Sequence, residues 1–106
     1  MNPQERQQKV LQAIAGIEAE MRRIGMWSAT APTPQQMAFK KAFAMDTMPF
    51  ASWLQFIFIP RVNEAAATCQ FPKSSSVGAQ AVREFDTVPN TERLQTLLSE
   101  FDGLFH

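Results

Sequence analysis

"MDTMPFASWLQFIFIPRV", residues 45–62, decides how this chain folds. Phe56, Ile57, Phe58 and Ile59 form an unbroken apolar row, closed by Pro60 and followed at once by Arg61. Asp46 or Thr47 is placed to cap a helix, and Pro49 then falls in its first turn, where a missing N–H is harmless. Trp53, Leu54, Ile57 and Phe58 share one face, while Phe50, Phe56 and Ile59 add apolar surface to the others. A helix apolar nearly all round is buried, with neighbours on several sides. Pro60 cannot donate to the carbonyl of Phe56 and its ring crowds that carbonyl, so the helix ends or kinks there. The alanine-rich "RVNEAAATCQ" after it favours helix. The expectation is one kinked helix over about 47–69, with the freed carbonyl met by the Arg61 guanidinium or by water.

The flanks read as helices that cover it. Residues 2–24 carry Val10, Ile14, Ile17, Met21 and Ile24 at alternating spacings of four and three, a single apolar stripe that Leu11 widens. Asn2 caps this helix, Pro3 suits its first position, Glu5 completes a capping-box pattern, and Gly25 is a natural stop. "MWSATAPTPQQ", residues 26–36, is a connection, with Thr33, Pro34 and Gln36 starting a short helix that runs to about Phe43. "FPKSSSVG", residues 71–78, is a flexible link. "GAQAVREF" comes next as a short helix with Val82 and Phe85 inward. Asn90 or Thr91 caps the last helix, whose Leu94, Leu97, Leu98, Phe101, Leu104 and Phe105 fall on one face. No stretch alternates over a strand length. The chain reads as a single all-α domain over 1–106, a small antiparallel bundle of about four helices with the central one kinked at Pro60.

Charge and composition narrow the function classes. Basic and acidic residues number ten each, a balance that argues against unaided nucleic-acid binding. Residues 1–41 hold six basic and three acidic side chains and residues 42–106 four and seven, a mild polarity able to orient a partner. Cys69 is the only cysteine, so no internal disulfide forms, which suits a reducing compartment, and it reads as a small hydrophobe. The N-terminal stretch lacks an apolar signal core, and the apolar run is far short of a membrane span, so the expected location is cytoplasmic. The only histidine is His106, and the four glycines are scattered, so neither a zinc site nor a phosphate loop is expected. Carboxylate pairs such as Glu18 with Glu20, or Glu84 with Asp86, point to different helical faces. No cofactor and no independent catalysis are expected.

What remains is recognition. Asp46 and Arg61 bracket the apolar helix as a polar patch or as local capping groups. Trp53 and Trp27 are interface anchors or core, and Met37, Met45 and Met48 line an adaptable groove or fill gaps. A protein partner, or a second copy, would meet apolar surface over 43–62, with Asp46, Phe50, Trp53, Phe56, Phe58 and Arg61 as the candidate surface. The alternative is a small-ligand or RNA-binding accessory using Arg22, Arg23, Lys40, Lys41 and Arg61.

"FAMDTMPFASWLQFIFIPRV", residues 43–62, resembles the signature of the YqcC-like family of small bacterial proteins. There a Phe-Met-Asp-Thr-Met segment runs into Trp-Leu-Gln and then Ile-Pro-Arg. Here these are Phe43, Met45, Asp46, Thr47 and Met48, with Ala44 intervening, then Trp53, Leu54 and Gln55, then Ile59, Pro60 and Arg61. The resemblance implies a small helical bundle of uncharacterised activity. The family's association, by name and gene neighbourhood, with tRNA pseudouridine synthase C implies a tRNA-modification context and the synthase as a partner. It supplies no functional residue. A pseudouridine synthase needs a catalytic Asp in a much larger α/β domain, so Asp46 is not given that role.

Overall fold

The computed structural model describes residues 2–105, and His106 lies outside them. Helix α1 spans Pro3–Arg23, and α2 is a single turn, Pro34–Met37. A 3₁₀ turn covers Ala42–Ala44. The central segment is helical from Phe50 to Thr68 in three parts: α3 (Phe50–Trp53), a π turn (Leu54–Phe58) and α4 (Ile59–Thr68). Helices α5 (Val77–Glu84) and α6 (Glu92–Gly103) complete the all-α bundle, with no strand among the described residues.

Helix α6 packs on both α1 and α5, and α1 packs on α4. These pairings are antiparallel. Gln7, near the start of α1, donates to the carbonyl of Ala66 near the end of α4 at 2.7 Å. Arg6, also near the start of α1, lies against the ring of Phe105, just past the end of α6. Gly78, at the start of α5, lies against Ser99 near the end of α6. The expected α1 stripe is buried at Val10, Ile14, Ile17 and Met21, and shares one core with Leu94, Leu98 and Phe101 of α6. Asn2 caps α1 by accepting from the Glu5 N–H at 2.8 Å. Thr33 and Gln36 form a reciprocal capping box around α2. No helix among the described residues is long and apolar enough to cross a membrane.

The central segment departs from the expected simple kink. Ahead of Pro60 the helix widens, and the N–H of Ile59 reaches the carbonyl of Leu54, five residues back. Pro60 then stands in the first turn of α4, where its missing N–H is tolerated. The widened turn also changes which side chains meet. In a regular α-helix, residues five apart point about 140° away from each other. Here Trp53 and Phe58, five apart and spanning the π turn, stack with centroids 5.5 Å apart at 29°.

Several local expectations are corrected. The central helix starts at Phe50, not near 47, and neither Asp46 nor Thr47 caps it; its N-cap is Pro49. Helix α2 stops at Met37 rather than reaching Phe43: the backbone leaves helical geometry at Ala38 (φ −87°, ψ 33°), and Phe43 and Ala44 then enter the left-handed region at φ 58° and 52°. Val82 points outward at 49% exposure, leaving Phe85 to fill the core beside α5. Met37 and Met45 are exposed, so only Met48 of the three fills a gap in the core. Cys69 is exposed, not buried, and ends α4 in the left-handed conformation at φ 52°.

Gly78 marks a close approach of α5 to α6. A Cβ there would lie 2.5 Å from the backbone Cα of Ser99. Backbone cannot rotate aside as a side chain can, so α5 would have to lift from α6. Gly78→Ala is therefore expected to destabilise the fold by ~1–3 kcal/mol, read as a lower urea midpoint. An unchanged midpoint would contradict this packing.

Candidate functional site

The aromatic side chains of the central segment form a chain of contacts that ends at the surface. Phe43 meets Trp53 edge-on at 5.0 Å, and Phe50 stacks on Trp53 at 5.6 Å. Trp53 stacks on Phe58, which meets Phe101 edge-on at 5.1 Å. Phe101 then contacts Phe105 at 5.1 Å, and Phe105 contacts Phe71 at 6.0 Å. Where this row emerges, Trp53, Phe58, Phe101, Phe105 and Phe71 form the floor and wall of a cleft of about 200 Å³. Val62 and Ala65 of α4 close one side, and Pro72, Ser74 and Ser75 the other. Arg61 stands at this cleft and also lines a second groove of about 240 Å³ with Met37, Phe39, Phe56, Ile57, Pro60 and Glu64.

The two depressions flank α4 because of its periodicity. Phe58, Arg61, Val62 and Ala65 occupy one helical stripe, and Ile57, Pro60, Arg61 and Glu64 the next. Arg61 belongs to both and forms the ridge between them. Among the described residues it makes no salt bridge. Arg61 makes no hydrogen bond to the carbonyl of Phe56 among the described residues, and it lines both clefts.

The remaining residues expected at a surface divide. Phe50 is buried in the core and is not available to a partner; this corrects its place in the candidate surface. Trp53 and Phe58 are core side chains whose edges line the cleft, at 9% and 8% exposure. Phe56 is half-buried in the second groove. Asp46 belongs to neither cleft: its carboxylate accepts from the backbone N–H of Lys40 at 3.1 Å and of Lys41 at 3.4 Å. Those bonds, with Thr47 donating to the Gln36 carbonyl at 2.7 Å, hold the left-handed Phe43 and Ala44 in place.

The expected RNA-contact residues are partly engaged within the chain. Arg22 bridges Glu18 at 3.1 Å and lies over the Trp27 ring at 4.5 Å. Arg23 donates from Nε to Glu20 at 2.8 Å, with a second bond from its terminal nitrogen. Lys40 and Lys41 lie on the loop that Asp46 holds, both exposed.

Two polar residues that sequence reasoning missed organise the surroundings. The buried Gln55 amide accepts from the Ser28 N–H and donates to the Ser28 carbonyl, both at 2.8 Å, which fastens the link after α1 to the π turn. Asp102, buried at the end of α6, accepts from the Ser75 hydroxyl and, at 2.8 Å, from the Gly78 N–H. It thereby fixes the 71–76 segment that walls the cleft. Gln55 stands in the Trp-Leu-Gln of the signature, which is the one signal pointing to it; Asp102 has none beyond lying next to Phe101 on the apolar side of α6. Among the described residues no group of His, Cys, Asp and Glu could hold a metal ion.

A family model described as tRNA pseudouridine synthase C matches residues 9–104. The chain belongs to that family. Among its relatives is the uncharacterized protein YqcC of Escherichia coli K12, 36% identical over 51 residues, covering 48% of this chain and 47% of YqcC. An uncharacterized protein of Haemophilus influenzae is 29% identical over 52 residues, 49% of each chain. A protein of Pectobacterium carotovorum subsp. carotovorum named tRNA pseudouridine synthase C is 31% identical over 58 residues, which are 55% of this chain and 15% of that protein. The matches thus span about half of the two small relatives and a minor part of the third. No solved structure matches.

The carboxylates set an acid limit. Backbone N–H donation, from Lys40 above all, holds Asp46 below the usual aspartate range, and the Arg23 hydrogen bond does the same for Glu20. A carboxyl depressed in the folded state contributes stability that is present above its unfolded pKa, about 4, and is lost as pH falls through the lower folded value. Stability is therefore expected to fall below about pH 4, with a shallower fall in Asp46→Asn, which cannot lose that carboxylate. Urea midpoints from pH 7 down to 2.5 measure this; parallel curves for the two proteins would contradict the role of Asp46.

Proposed function

We propose that this chain is a non-enzymatic accessory module that docks on a tRNA pseudouridine synthase. The observation that carries this reading is the pattern of relatedness. A similar segment forms a small share of a protein named for that synthase, while two short relatives match over about half their own length. A unit carried within a long chain in one organism and in short chains elsewhere is one whose separate form meets the rest through a surface. The cleft beside Arg61 supplies an apolar surface that a protein anchor fits.

The chemistry of the described residues supports a binding role over catalysis. Asp46, Asp102 and Glu20 are each engaged with backbone or side-chain donors that position loops and helix ends. None of these three stands at the floor of either cleft. Arg22 and Arg23 are occupied in part by Glu18, Glu20 and Trp27, which weakens the case for RNA as the primary partner.

The test is direct binding of the purified chain to the synthase of its own organism, followed by calorimetry and size-exclusion chromatography, with and without nuclease. A complex that forms without tRNA and survives nuclease is the expected result. Assembly only in the presence of tRNA, with affinity falling steeply as salt rises, would make this an RNA-binding accessory instead. No complex under either condition would overturn the reading.

A further inference from the structure

The Arg61 cleft is smaller than the ~300–1,000 Å³ typical of drug-sized ligand sites. At about 200 Å³ it has room for one aromatic ring or branched side chain. A ~150 Å³ apolar cavity already holds benzene. Aromatic side chains dominate the cleft's lining, with Arg61, Ser74 and Ser75 its polar residues, an arrangement that takes an apolar anchor with a polar neighbour. The sign of that neighbour is set by the charges. Arg61 at the rim makes no salt bridge among the described residues. A second cation, Arg6, lies 5.8 Å from the centroid of Phe105 behind the cleft wall and is likewise unbridged among the described residues. Of the nearby anions, Asp102 is occupied by Ser75 and Gly78, and Glu64 faces the other groove.

We propose that this cleft binds a protein segment presenting one aromatic or large aliphatic side chain next to a glutamate or aspartate, with the ring against Trp53 and Phe101 and the carboxylate on Arg61. The proposal rests on the accessory-module reading only in taking the occupant to be protein; the cleft's chemistry is independent of which protein it is. Apolar burial supplies most of the affinity, and the exposed ion pair adds selectivity and a faster encounter.

The probe is a blocked tetrapeptide, alanine–phenylalanine–glutamate–alanine, titrated into the ¹⁵N-labelled full chain. The Trp53 indole N–H is expected to shift, while that of Trp27, under Arg22, serves as the internal control and stays. Replacing glutamate by glutamine in the peptide is expected to weaken binding about two- to fivefold at low salt. Arg61→Met removes that difference without lowering the melting temperature, since the side chain is exposed and unbridged. Ala65→Met fills the cleft and abolishes binding with the charge left intact. No shift at ~5 mM peptide, shifts at Trp27 in place of Trp53, or equal affinity for the glutamate and glutamine peptides would each overturn the proposal. Synthase binding unaffected by both Arg61→Met and Ala65→Met would overturn it while leaving the accessory reading intact. Peptide binding without a synthase complex would do the reverse.

Discussion

A proline inside a helix that must stay buried is the constraint on which the rest of this structure depends. The central segment cannot leave the core, because nearly every face of it is apolar. Nor can it run through Pro60 as a regular α-helix, because one donor is missing and one carbonyl is crowded. The chain meets both demands by inserting a widened turn, so that Pro60 opens a new helical stretch instead of interrupting an old one. That solution does more than relieve the proline. It brings Trp53 over Phe58, and this stack joins the aromatic group around Phe50 to buried Phe101 and Phe105 and, beyond them, half-buried Phe71. The cleft is the place where that row runs out of neighbours.

A second theme is how few polar side chains hold the connections. Gln55 grips both backbone groups of Ser28, Asp46 takes two N–H groups of the loop before it, and Asp102 holds Ser75 and the start of α5. Thr91, fully buried, donates to the Val88 carbonyl at 2.8 Å and accepts from Gln95 at 3.0 Å, closing the turn into α6. Each is a side chain doing for a link what ladder bonds do for a helix: giving otherwise unpaired backbone a partner. The links are rich in Pro and small residues, and these bonds act beside the packing of Trp27, Phe39, Phe43 and Phe71 on the core. Their positions are set by these contacts to the bundle.

This division explains what was legible in the sequence. The α1 and α6 stripes keep the helical period closely, so most of their buried residues could be read, although Leu11 is exposed and Ile24, Leu97 and Leu104 are only partly covered. The cap of α1 and the capping box of α2 are local, with all partners within three residues, and they were legible for that reason. Pro60 announced a break, but a break has several geometries. The choice of a π turn depends on Trp53 finding Phe58 and on Gln55 finding Ser28, 27 residues away. Asp46 stands where a cap for the central helix is expected, and instead it binds the loop on its N-terminal side. The reason is that Phe43 and Ala44 turn the backbone left-handed and bring Lys40 and Lys41 around to it. Val82 and Phe85 share the inward side on a helical wheel, yet Val82 stays half exposed beside Ser99 and Gln95 of α6 while Phe85 is buried. Long-range pairings of this kind leave no periodic trace.

The signature over 43–62 therefore mixes two kinds of residue. Phe50, Leu54 and Gln55 face inward and would be demanded by the fold alone. Trp53 and Phe58 are shared, buried by most of their surface and open along an edge. Arg61 has no structural partner to justify it: it is exposed and unbridged among the described residues, and stands on the ridge between two depressions. A lysine there would carry the same charge but lack the planar fork that holds a carboxylate with two parallel bonds. The proline fixes where α4 begins, and the helical period then sets Arg61, Val62 and Ala65 on the cleft side. The row of apolar residues, the proline and the arginine are thus one device: the first builds the floor, the second sets the angle of the wall, and the third gives the opening its charge.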